Sequence, residues 1–115
     1  MIQIFGRKDS QPTRRCLRFF KERRVEVSFV DLSKRAPAPA ELRRFSAHFG
    51  ATALLDPDSK PYQHAGLGYL SMADDEAIER VLADPRLLRL PLVRNGAEVT
   101  IGLDEQTWRS WQHGR

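Results

Sequence analysis

A chain of 115 residues, 41% apolar and 30% charged, has the make-up of one globular domain, spanning 1–115, that needs no staples to hold its core. A single cysteine rules out an internal disulfide, and with His48, His64 and His113 lacking ligand spacing no metal site is expected. The net charge of +4 comes from arginine pairs interleaved with glutamates, without an aromatic-studded basic strand, which argues for solvated helix faces over a nucleic-acid surface.

The chain opens on Ile2-Gln3-Ile4-Phe5, whose alternation predicts a half-buried strand that breaks at Gly6. No charged-then-apolar leader pattern and no run of membrane-spanning length precede or follow it, so a cytoplasmic location away from membranes is expected. Ser10 is placed to cap a helix, and Pro12 falls in its first turn, where a missing N–H does no harm. A strand leading through a loop into a helix aims free N–H groups and the positive end of a dipole at one point. Thr13, Cys16, Leu17 and Phe20 form the apolar face of this helix, while Arg14, Arg15, Arg18 and Lys21 occupy the rest.

Residues 25–31 alternate again and predict a second strand, so a right-handed βαβ unit with parallel strands is the default. Pro37 and Pro39 delay the next helix, expected over 39–49 with Leu42, Phe45 and Phe49 inward and Gly50 closing it. His48 and the Arg43-Arg44 pair lie on or beside that helix as surface residues. Residues 51–70 are irregular: Leu54 and Leu55 look buried, 56–61 is turn chemistry, and Gly66 and Gly68 punctuate a second loop. Asp74, Asp75 and Glu76 open a helix over 73–83, with Ala77, Ile78, Val81 and Leu82 as its stripe. Arg94-Asn95-Gly96 signals a hairpin, and Asp104 can cap a last helix in which Trp108 or Trp111 packs inward.

Strand, helix, strand, a helical stretch, a hairpin and a final helix is a thioredoxin-like order, and particular residues narrow it. The chain resembles the arsenate-reductase family, which includes Spx-type transcription regulators and glutathione-linked reductases. The resemblance rests on residues 2–5 with their loop and helix, Ala53-Leu54-Leu55, Pro61-Tyr62, Gly66-Leu67, the run from Asp84 through Pro91 to Val93, and Gly102-Leu103-Asp104. It implies a thioredoxin-like, glutaredoxin-like α/β fold: a mixed sheet flanked by helices, with a helical insertion. It also implies a cis Leu90-Pro91 bond facing the active-site loop.

The same resemblance places Ser10 where the reductases keep a nucleophilic cysteine and Arg14 at their retained arginine. Thr13 stands where Spx-like members carry the second cysteine of C-x-x-C, Leu90 where relatives have an arginine beside Arg89, and Asp56 where some have another. A serine at the focus cannot be resolved as a disulfide, so the family's two-electron cycle has no carrier there. Catalytic residues are therefore not expected; the site is read as degenerate at Ser10, Thr13, Arg14 and Pro91.

Three readings follow, and the sequence leaves open whether the chain is an enzyme. The first is a binding or regulatory module with a protein partner. The second is a glutathione-linked reductase using Cys16 or an external thiol, although Cys16 lies on the apolar face, where a structural role is expected. The third is an anion-binding protein at the Ser10 loop, with Lys8, Gln11, Arg14 and Arg15 as its contacts. No cofactor is expected, except glutathione under the second reading.

Overall fold

The computed structural model describes residues 1–69 and 71–113; Leu70, at the end of the irregular stretch, lies outside the described residues. The chain forms two compact units, one of residues 1–35 with 90–115 and the other of residues 36–89.

The first unit holds the sheet. Strand β1 (Ile2–Gly6) leads through a tight turn into helix α1 (Gln11–Glu22) and then strand β2 (Val27–Asp31). After the second unit the chain returns as β3 (Leu92–Asn95), β4 (Glu98–Ile101) and helix α5 (Glu105–His113). The strand order is β2-β1-β3-β4, with β1 parallel to β2 and antiparallel to β3. This is the thioredoxin-like mixed sheet that the element order predicts. The β3–β4 pair closes between Asn95 and Glu98, so Gly96 and Ala97 make a two-residue turn, and Gly96 takes the φ of 62° that such a turn demands.

Burial, more than helix propensity, orders this unit. Ile2, Ile4 and Val93 present one face of the sheet to Cys16, Phe19 and Phe20 of α1 and to Trp108 and Trp111 of α5. The Phe19, Phe20 and Trp108 rings lie 5.1–5.6 Å apart in tilted or edge-on pairs, the geometry aromatic quadrupoles favour. Both tryptophans are buried, and Trp108 Nε1 donates to Thr100 Oγ1 at 2.9 Å. Asp104 caps α5 by accepting the Thr107 N–H. Phe19 takes the core position expected of Leu17, which is only half-buried, because the face of α1 turns toward Trp108. The second strand begins at Val27 rather than Val25, since Arg24 turns the chain with a φ of 57°.

Gly6 sets how closely α1 meets the sheet. A methyl group on it would sit 2.5 Å from both Cγ2 and Oγ1 of Thr13, which is itself fully buried. Gly6→Ala is expected to cost about 1–3 kcal/mol through overpacking, measured by chemical unfolding. An unchanged midpoint would mean that Thr13 yields freely.

The second unit is mostly helical. It contains α2 (Pro39–Phe49), the short α3 (Lys60–His64) and α4 (Asp74–Ala83), with 3₁₀ turns at Ala51–Leu54, Leu67–Tyr69 and Pro85–Leu87. Its core draws on Leu42, Phe45, Leu54, Ile78, Val81 and Leu88. The Glu41 carboxylate accepts the Ala38 N–H at the start of α2, and Gly50 ends it. Two expectations fail here. Phe49 is not inward but 51% exposed, because α2 runs out one residue before Gly50 turns the chain away. Lys60 and Pro61, the last residues of the expected 56–61 turn, instead open the helix, since the Ser59 hydroxyl accepts the Tyr62 N–H and Pro61 fits the first turn.

Candidate functional site

The focus of the first unit is the turn between β1 and α1. Ser10 adopts an extended backbone, and its Oγ accepts the Thr13 N–H at 3.3 Å, the standard N-cap bond. The Arg14 N–H goes to the Ser10 carbonyl and the Ser10 N–H to the Arg7 carbonyl, both at 3.0 Å. Pro12 has no N–H to give. Only the Gln11 amide is left to supply the helix end, so the several free donors expected here reduce to one.

Pro91 belongs to the same place. The antiparallel register pairs Phe5 with Leu92, and one further step sets Pro91 beside Gly6, where the loop begins. The Leu90-Pro91 bond is cis, and the Pro91 carbonyl accepts the Gly102 N–H at 2.8 Å. Gly6 in turn lies against Thr13. Thr13 thus lies against the residue at which the loop begins, and Pro91 immediately precedes the β3 residue paired with Phe5. Leu90, standing where relatives have an arginine, is buried. Arg89 and Asp56 belong to the second unit, where the Arg89 N–H donates to the Leu54 carbonyl and Asp56 caps its own turn.

The basic residues do not converge on the helix end. Arg15 turns along α1 to Glu105 of α5, with Nε 2.8 Å from the carboxylate. Arg14 reaches back to donate Nη1 to the Lys8 carbonyl at 2.8 Å, which ties down the turn. Arg7 pairs with Asp9. Lys8 and Gln11 stay exposed. Sequence spacing misses the Arg15–Glu105 pair because its members are ninety residues apart.

The Thr13 hydroxyl is buried with no hydrogen-bond partner, an uncompensated polar atom one helical turn from Ser10. Cys16 lies deeper still. It is fully buried in the apolar cluster, and burial pushes its thiol up to about 12. The thiolate, which is the nucleophile, is therefore disfavoured at neutral pH. This gives a signed pH dependence. The folded chain holds the thiol proton above the unfolded value, so stability falls as pH rises from about 9 toward 12, by up to about 1.4 kcal/mol per unit. Urea titrations across that window should show the slope flatten in Cys16→Ala; an identical slope would mean that Cys16 titrates freely.

His48 and His64 are exposed on the second unit, and the side chain of His113 lies outside the described residues. Among the described residues no cluster of His, Cys, Asp and Glu could hold a metal ion, and no helix is long and apolar enough to cross a membrane.

Solved structures share this architecture. A YffB protein superposes with a TM-score of 0.87 at 19% identity, over 96% of this chain and 97% of that one. An ArsC family related protein from Bacteroides fragilis gives 0.84 at 15%, over 95% and 97%. The arsenate reductase from Vibrio cholerae gives 0.76 at 17%, over 87% of each chain. No curated protein matches at the level of sequence. The ArsC family matches residues 6–111, from the end of β1 to the last turns of α5, and the chain belongs to that family.

Proposed function

We propose that this chain is an ArsC-family protein that has given up thiol redox chemistry and acts by binding, as a regulatory or adaptor module in the cytoplasm. The observation that carries this reading is the pairing of Ser10 at the helix end with Cys16 sealed in the core. The family reaction needs a thiolate at the first position, where attack on an oxyanion can be followed by thiol exchange. An oxygen at Ser10 can form an ester but can neither store an electron pair nor be released as a disulfide. Its hydroxyl already accepts the Thr13 N–H, a backbone donor that does nothing to make it a nucleophile.

Neither alternative gains support. Glutathione-linked reduction through Cys16 would need the thiol exposed and its pKa low, and both run the other way. Anion capture at Ser10 would need converging donors, whereas Pro12, Ser10 and Glu105 have removed or diverted most of them.

Two assays test the reading on the native protein. Ellman's reagent should leave Cys16 unmodified at neutral pH until denaturant is added, and arsenate with glutathione, glutaredoxin, glutathione reductase and NADPH should consume no NADPH. Turnover above the buffer rate, or prompt labelling of the folded chain, would sink it.

A further inference from the structure

β2 is an edge strand, paired among the described residues only to β1 in the sheet order. Natural edges are blunted with lysine, proline or a bulge. The five residues Val-Ser-Phe-Val-Asp contain neither residue type, and their register with β1 runs without interruption. The Leu32 N–H donates to the Gly6 carbonyl at 2.8 Å, so strand alternation turns Ser28 and Val30 toward β1 and the amides of Val27 and Phe29 outward. At the far end the Asp31 carbonyl already accepts the Lys34 and Arg35 N–H groups, which closes the edge there. Two outward residues remain, about 6.6 Å apart at the usual rise, matching alternate residues of an added strand.

The side chains along this edge are unfinished in the same sense. Leu17, Val25, Val27 and Phe29 rest on the core cluster yet stay only partly buried. A groove of about 470 Å³ runs over Leu17, Val25 and Val27, and one of about 420 Å³ over Phe29 and Val30. Lys21, Arg24 and Glu26 border the first; Lys8, Asp31 and Lys34 border the second. Cations thus outnumber carboxylates around each of the two grooves.

We propose that the outer edge of β2 takes up an extended, acidic segment of a partner protein as an added strand. Its backbone pairs with Val27 and Phe29, its alternate apolar side chains fill the two grooves, and its carboxylates meet Lys21 and Arg24 at one end and Lys8 and Lys34 at the other. Charge decides against a second copy of this chain. A two-fold antiparallel pairing centred on Val27 would set the Lys21–Arg24 end of one copy against the Lys8–Lys34 end of the other. The proposal builds on the reading of the chain as a binding protein and supplies its partner class, but it needs nothing from Ser10. Strand addition and NADPH consumption are read separately, so either can fail alone.

The test is amide exchange by NMR on the full chain, with a short acetylated peptide alternating valine and glutamate and a valine–lysine peptide as control. The acidic peptide should slow exchange at Val27 and Phe29 by about tenfold or more, while the lysine peptide does not. Val27→Pro deletes an outward donor without touching the β1 ladder and should abolish the effect. Lys21→Glu with Arg24→Glu spares the backbone and should weaken binding by about tenfold even if the proline variant misfolds. No protection, equal protection by both peptides, or shifts at the cations alone would overturn the proposal. So would protection without peptide that grows with protein concentration alongside a dimer in sedimentation, since the occupant would then be a second copy.

Discussion

Trp108→Ala is expected to lower the unfolding free energy by about 3–5 kcal/mol, a large share of the roughly 5–15 kcal/mol that holds such a domain together. The indole is fully buried, lies against Phe19 and Phe20, and is the point at which α5 grips α1 over the sheet. Its removal also strands the Thr100 hydroxyl, 2% exposed and paired through Trp108 Nε1. Trp108→Phe helps to separate the two contributions, because it keeps much of the ring packing while losing the hydrogen bond. That variant should cost about 1–3 kcal/mol, the penalty of an orphaned buried acceptor with some lost contact. Urea melts of the two variants measure both. A loss under about 1 kcal/mol for the alanine variant would show that α5 contributes little to the core.

Ser10→Cys should create a thiol unlike the native one. A sulfur at this N-cap sits at the positive end of a twelve-residue helix beside the Lys8 turn, where thiol pKa values fall to about 3.5–7.5. One thiol per folded chain should then react promptly with Ellman's reagent at neutral pH. The rate should rise through a midpoint below that of free cysteine, with Cys16 silent until unfolding. The variant should also form a mixed disulfide with oxidised glutathione. Arsenate turnover should stay absent, because Leu90, at the position where the family resemblance implies an arginine, is apolar and buried. The lost cap should cost about 0.5–2 kcal/mol of stability. An introduced thiol no faster than Cys16 would mean that the loop no longer presents its first residue to solvent.

Local signals in this chain were legible and distant ones were not. Ser10 with Pro12, Pro39 with Gly50, and Asp104 each announce a helix end through chemistry confined to a few residues, and the structure uses all of them. Ser59 and Pro61 misled, because the residues that make a turn also start a helix, and a five-residue helix leaves no periodicity to separate the two. The choice between Leu17 and Phe19 hinged on where Trp108 stands, which no window of neighbouring residues contains. At the site, the serine at the helix end and the burial of the cysteine could be read from spacing. The diversion of Arg15 to Glu105 and the folding of Arg14 onto Lys8 could not, since both depend on where the chain returns.

The sheet-bearing unit is interrupted by the whole of the helical one, residues 36–89. On the ribosome, β1 and β2 therefore emerge long before their remaining neighbours. Until residues 92–95 are made, the central strand has a bare flank along Ile2–Phe5, the same residues that later meet β3. The helical unit has all its own residues in hand first, and its local contacts close without a long loop. Translation thus delivers the residues of the inserted helices before the strands that complete the sheet, and the central strand keeps one open edge until β3 emerges.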